Sequence, residues 1–136
     1  MKNRVIRSRG ERGAALVEGA LVFMIVFLTL IGIMEFGRMV WIYDTLAELS
    51  REGNRFVACH GSASGTVADT ASVRAAVLPY ATGLDPNSLT VSFTCNPAGC
   101  DTKSQITVTV SYPFTAITPF VPSLNMTSVS RGYVGF

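Results

Sequence analysis

The residues best equipped for chemistry are Cys59 and His60, side by side, and the pair in Cys95-Asn96-Pro97-Ala98-Gly99-Cys100. A zinc site needs four nitrogen or sulfur donors aimed at one ion. Adjacent Cys59 and His60 are awkward to aim together, and the C-x4-C spacing of Cys95 and Cys100 lies at the edge of what zinc accepts. An oxidising compartment permits a disulfide instead, closing a turn between Cys95 and Cys100 and leaving Cys59 as the odd thiol. Three cysteines do not dictate their own pairing, so Cys59 with either of the others stays open. The disulfide is the preferred reading, and no metal or cofactor is expected.

Catalytic groups are scarce. His60 is the single histidine, lies next to a Ser/Gly-rich stretch, and has no acid placed in sequence to orient it. Asp69, Asp85 and Asp101 fall in turn-forming segments, where aspartate commonly bonds nearby backbone. No phosphate-cradling glycine loop or nucleophile elbow occurs. The expectation is a protein that is not an enzyme. One carboxylate is unusual: Glu18 precedes sixteen uncharged residues, 19–34, rich in Leu, Ile, Val, Phe and Met. A carboxylate at the centre of a membrane helix costs roughly 2.5–3.5 kcal/mol, so an acid at the margin of such a run calls for a function.

The elements around Glu18 explain its setting. At about 1.5 Å per residue, residues 14–34 form a helix of roughly 31 Å, matching the ~30 Å hydrocarbon core of a bilayer. Mean hydropathy is +0.38 and charged residues make up 15 % of the chain, below the ~25 % of ordinary soluble domains. The net charge of +2 hides a split. Lys2, Arg4, Arg7, Arg9 and Arg12 oppose only Glu11 in the leader, whereas seven acids outnumber six basic residues from Glu35 onward. The positive-inside rule then keeps the N-terminus in the cytoplasm and exports the C-terminal region. This position favours a topology signal over a nucleic-acid arm. No small-residue A-x-A site follows the apolar run, which is also longer than that of a secretory signal peptide, so the helix is expected to stay attached.

The order basic leader, Gly13, Ala14-Ala15-Leu16-Val17, Glu18, long apolar helix resembles the class III signal of type IV pilins and pseudopilins. Arg12-Gly13-Ala14-Ala15-Leu16-Val17-Glu18, then Gly32-Ile33-Met34-Glu35-Phe36-Gly37-Arg38, then Ser50-Arg51-Glu52-Gly53-Asn54-Arg55-Phe56 is similar, over about residues 12–58, to the TadE-like minor pseudopilins of tight-adherence (Flp) pili. The resemblance implies cleavage by a prepilin peptidase between Gly13 and Ala14. Glu18 becomes the fifth mature residue, an assembly contact that neutralises a neighbouring subunit's new amino terminus. Gly10 does not fit, because the fifth residue after it is Ala15. Two departures stand out: Gly19 occupies a position where a bulky apolar residue is usual, and Ala14 replaces the common first phenylalanine. The implied partners are the peptidase, the major Flp pilin, sister pseudopilins, the inner-membrane assembly platform and the bilayer, with no nucleic acid.

Downstream, Met39, Ile42, Leu46, Leu49, Gly53 and Phe56 recur every three or four residues, one apolar face of a continuing helix. Glu35/Arg38, Glu48/Arg51 and Glu52/Arg55 are i,i+3 pairs on it, and Trp41 and Tyr43 stand where aromatics anchor at a headgroup layer. Residues 61–66 should end the helix. A second one is expected over 68–80, with Asp69 or Thr70 as N-cap and Pro79 limiting its last turn. Period-two alternation at Leu89-Val91-Phe93 and Ile106-Val108-Val110 predicts a hairpin. Residues 112–124, with Pro113, Pro119 and Pro122, read as a crossing loop with Phe114, Ile117, Phe120 and Val121 on its underside, before a third strand over 126–134.

The expected architecture is α+β: a basic leader (1–13), a long helix (14–58) with a transmembrane first half and an amphipathic second half, and a small periplasmic domain (59–136). That domain carries one short helix and a three-stranded antiparallel sheet. The functional expectation is a minor pseudopilin taking part in assembly of a tight-adherence, type IVb-like pilus for surface attachment. The competing expectations are an uncleaved, single-pass anchored binding module and a type II secretion pseudopilin.

Overall fold

The computed structural model describes residues 9–119 and 121–135. Lys2, Arg4 and Arg7 of the leader, and Phe120 of the proline-rich loop, lie outside the described residues. The fold is α+β. Helix α1 (Arg9–Cys59) is followed by α2 (Thr70–Val77) and by strands β1 (Thr90–Asn96), β2 (Gln105–Phe114) and β3 (Leu124–Tyr133), with short 3-10 turns at Ser62–Ser64 and Leu78–Tyr80. The chain divides into two compact units, one reaching Gly37 and one from Arg38 onward.

Over residues 19–34, within the first unit, α1 is apolar on every side. A helix hydrophobic all round suits lipid better than water, and α1 is long and apolar enough to cross a membrane. Phe23 and Phe27, one turn apart, stack with centroids 6.1 Å apart. Thr29 turns its hydroxyl back to donate to the Ile25 carbonyl at 2.8 Å, which keeps that polar group satisfied where no water would serve it. The helix begins before residue 14, so Gly13 lies within helical backbone.

In the second unit α1 becomes one-sided. Ile42, Leu46, Leu49 and Val57 are buried, and Gly53 is buried between them. The stripe closes on Val57, while Phe56 and Met39 are only partly covered. Both lie at the margins of the stripe and pack against its core. Opposite this stripe stand Val73 and Val77 of α2 and Ile106, Val108 and Val110 of β2, all fully buried. Gly53 is where the layers approach most closely: a Cβ there would sit 3.1 Å from Val108 Cγ1, 3.3 Å from Val77 Cγ1 and 3.5 Å from Val73 Cγ1.

Helix α2 starts at Asp69, whose carboxylate accepts from the Ser72 amide at 2.8 Å. The Asp69 amide in turn donates to Ser72 Oγ at 3.0 Å, a reciprocal capping box. These bonds to Ser72 hold the Asp69 carboxyl below its ordinary value. Asp85, bonded by the Asn87 amide and the Ser88 hydroxyl in the next turn, is lowered for the same reason. Pro79 enters the 3-10 turn that closes α2, so the regular helix stops at Val77 and not at Tyr80.

The sheet order is β1-β2-β3, antiparallel throughout, with Thr90↔Ser111 the last β1–β2 pair. Strand β2 continues past that point through Pro113 to Phe114, pairing with Asn125 and Leu124 of β3. Residues 112–114 are therefore strand and not loop. Proline is accepted there because β1 has already ended and β2 is flanked on one side only. Phe114 is fully buried, whereas Ile117 is 67 % exposed and forms no part of an apolar underside.

Strand β3 inverts the usual pattern. Its inward positions are Met126, Ser128, Ser130 and Gly132, while Val129 and Tyr133 point out. Against α1 this gives a polar seam: Ser50 Oγ to Ser128 Oγ at 3.1 Å, and Asn54 Nδ2 donating to Ser130 Oγ at 3.1 Å. A Cβ on Gly132 would come within 2.7 Å of the Asn54 amide group.

Candidate functional site

Gly13 and Glu18 lie five residues apart on one uninterrupted helix, both exposed. The space around Gly13 and Gly19 is open, with no atom within 4 Å of a built Cβ at either. Glu18 forms no ion pair among the described residues. A carboxylate so placed, at the foot of an apolar helix and facing outward, is chemically suited to pairing with a cation brought by another molecule.

The cysteines divide two to one. Cys95 and Cys100 are joined by a disulfide with Cα atoms 5.2 Å apart, across the β1–β2 turn, and Cys59 is a free, exposed thiol. The two bonded sulfurs are committed to each other, and His60 is engaged elsewhere. Its Nδ1 lies 2.8 Å from the Phe56 carbonyl, and its ring stacks on Phe56 at 4.1 Å. Among the described residues no group of three His, Cys, Asp or Glu side chains gathers to hold a metal ion.

The disulfide sits at a junction. The Ser62 amide donates to the Cys100 carbonyl at 3.0 Å, and Ser62 Oγ donates to Asp101 at 2.7 Å, tying the turn to the segment that leaves α1. Nearby, Gly135 N donates to the Ala58 carbonyl at 3.1 Å and Ala68 N to the His60 carbonyl at 3.0 Å. Carbonyls that a helix C-terminus leaves without intrahelical partners are thereby satisfied. Closing so short a loop limits the unfolded chain by about 2 kcal/mol in the chain-entropy relation. Cys95→Ser with Cys100→Ser should lower the thermal midpoint by about 8–16 °C for a domain of this size, read by circular dichroism of the whole chain in detergent. An unchanged midpoint would remove the disulfide from the structural account.

The base of the second unit is fixed by side chains that composition does not announce. Arg38 donates to the Thr115 carbonyl, and its guanidinium lies 4.8 Å over the Phe114 ring, a cation–π contact. Trp41 lies against Gly83: a Cβ on that glycine, which has φ +74°, would fall 2.5 Å from Trp41 Cη2. Only glycine meets both the backbone angle and the close approach. Trp41 is thus partly engaged in packing the domain, in addition to any headgroup contact its 45 % exposure allows. Of the three i,i+3 pairs, Glu52–Arg55 closes, at 3.7 Å. Arg38 is turned to Thr115 and Phe114, and Glu48 and Arg51 make no ion pair among the described residues. Beside Arg51 and Arg55 a groove of about 260 Å³ opens between α1 and β3, walled also by Asn54, Ala58, Ser130 and Tyr133.

These features define a class: a chain whose one long apolar helix can anchor in a membrane and runs on into a small α+β domain. Residues 13–55 match the family model described as TadE-like protein. The match shows that this segment is similar to the TadE-like family. It begins at Gly13 and ends at Arg55, so it covers the anchor and the amphipathic part of α1. No curated protein and no solved structure matches the chain.

Proposed function

We propose that the chain is a minor pseudopilin of a tight-adherence pilus, acting by assembly and not by turnover. A prepilin peptidase removes the leader after Gly13 on the cytoplasmic face of the inner membrane. The apolar half of α1 holds the mature chain laterally in the bilayer with its domain in the periplasm, until the assembly platform draws it toward the major pilin and sister pseudopilins. Glu18 then pairs with the amino terminus freed on an adjacent subunit, since two charges each costly to bury alone are less costly together. The observation that carries this reading is the coincidence of the TadE-like segment, residues 13–55, with an unbroken helix bearing an exposed acid five residues after Gly13.

Replacing Gly13 by a bulky residue should abolish processing. Mass spectrometry of the purified wild type is expected to show 123 residues beginning at Ala14, the 136 of the chain less a leader of 13. The Gly13 variant is expected to keep all 136. A variant with the same mature N-terminus as the wild type would sink the leader assignment. Retention of residues 1–13 by the wild type, in cells that contain the peptidase, would point to an anchored binding module instead.

A further inference from the structure

Within the second unit, strand β2 runs antiparallel to the α1 segment it packs on. At one end Gly53 meets Val108, with a built Cβ 3.1 Å from its Cγ1. At the other, Arg38 donates to the Thr115 carbonyl and lies over the Phe114 ring at 4.8 Å. From residue 38 to 53 the helix rises about 22 Å, and from residue 108 to 114 the strand rises about 20 Å, so the two stay abreast. The turn that joins β2 to β3 therefore lies at the end of the unit where α1 leaves its apolar run. Arg38 follows Met34, the last residue of that run, by four positions, or about 6 Å of helix rise. The headgroup layer on each side of a bilayer is about 5–7 Å deep.

From this we propose that the β2–β3 turn is a second lipid contact, separate from the span of α1, with Ile117 and Leu124 seated at the boundary of headgroups and acyl chains in the leaflet from which α1 emerges. Ile117 is 67 % exposed and Leu124 45 %. Residues 104–130 contain no Asp, Glu, Lys, Arg or His, so no charge in this stretch has to be desolvated. Backbone N–H groups without a partner are costly in lipid, and the turn lowers that cost. Pro119 and Pro122 have no N–H, and Val121 N donates to the Thr118 carbonyl at 3.4 Å. Lipid is the occupant because the turn continues a surface that already faces lipid, and because its neighbours suit a headgroup layer. Arg38 stands at that level, and Trp41 and Tyr43, 45 % and 53 % exposed, are the amphipathic aromatics that such a layer favours. The tilt of a single span is set by its interfacial anchors, and this turn adds one on the side of the sheet. The contact rests on residues 19–34 crossing the bilayer, and neither on removal of the leader nor on filament assembly.

The test uses the full chain in phosphatidylcholine vesicles, with Cys59→Ser removing the free thiol while Cys95 and Cys100 stay bonded. A polarity-sensitive fluorophore is attached in turn to Ile117→Cys, to Phe27→Cys within the span, and to Thr66→Cys, an exposed site beyond the far end of α1. An inserted interfacial side chain lies about 5–10 Å into the headgroup and acyl boundary, so lipids bearing a nitroxide should quench the label at residue 117 at least about threefold more than the label at residue 66. Aqueous iodide should show the reverse order. With the label on Ser123→Cys, adding Ile117→Asp and Leu124→Asp should bring lipid quenching down to the level of residue 66. Both replaced side chains are exposed, and circular dichroism of the same variant checks that the fold is kept. Lipid quenching at residue 117 no greater than at residue 66, with residue 27 quenched, overturns this contact alone. An unquenched label at residue 27 overturns the membrane span and the contact together. A label at residue 117 shielded from lipid nitroxide and iodide alike would place protein over the turn, and quenching at residue 123 that survives the two aspartates would remove Ile117 and Leu124 from the contact; either result overturns the proposal.

Discussion

Gly53→Leu is expected to unfold the second unit well below the melting temperature of the parent. The Cβ position at residue 53 already lies 3.1–3.5 Å from methyl groups of Val108, Val77 and Val73, and those three valines are fully buried with nowhere to withdraw. Leucine adds three further carbons to that space. Overpacking of a dense core costs about 1–3 kcal/mol and sometimes more, and the surrounding valines put this site at the upper end. For a small domain with a total stability of about 5–15 kcal/mol, the thermal midpoint should fall by more than about 10 °C. Gly53→Ala is the matched control. It demands a shift of a few tenths of an ångström from Val108 but gains helix propensity of about 1 kcal/mol, so its midpoint should stay near that of the parent. A leucine variant that melts with the parent, by circular dichroism of the full chain in detergent, would refute the close approach.

Glu18→Gln should leave processing intact and stop incorporation. Glutamine keeps the shape and loses the charge, so the peptidase still meets Gly13 and Ala14 while the cation of the neighbouring subunit finds no partner. Removing one member of a buried ion pair costs about 3–5 kcal/mol, and each 1.4 kcal/mol is about tenfold in an equilibrium. The amount recovered in sheared pili should therefore fall at least about tenfold, with mature-length chain accumulating in the membrane. Glu18→Asp keeps the charge on a shorter stem and should fall between the two. Full recovery of the Gln variant in pili would exclude the carboxylate from assembly.

The residues behind these two expectations were unequally visible in the sequence. Glu18 was legible because its chemistry is a matter of position: an acid at the edge of an apolar run, five residues past a glycine, needs no tertiary contact to be noticed. The stripe of α1 was legible from Met39 to Phe56 by helical periodicity, its two end residues packing partly covered against the core, and the buried position it passed over was Val57. The packing notch at Gly53, and the seat of Trp41 on Gly83, were not legible, since a missing side chain signals nothing until its neighbours are placed. Pro113 concealed the last stretch of β2: a proline argues against strand unless one knows that β1 stops at the Thr90↔Ser111 pair.

The inverted face of β3 has its own consequence. With Ser128, Ser130 and Gly132 turned inward, the strand rests on α1 largely through two hydroxyl contacts and an amide, Met126 being the one apolar side chain on that face packed against the core. Its other attachment is the backbone ladder with β2. Free energy of local opening follows buried apolar contact, so the amide protons of β3 should exchange with solvent before those of β2, whose inward valines are fully buried. The domain is thus graded, firm at the seam of α1, α2 and β2 and yielding along its outer strand, and the strand that walls the groove beside Arg51 and Arg55 is also the one that loosens at least cost.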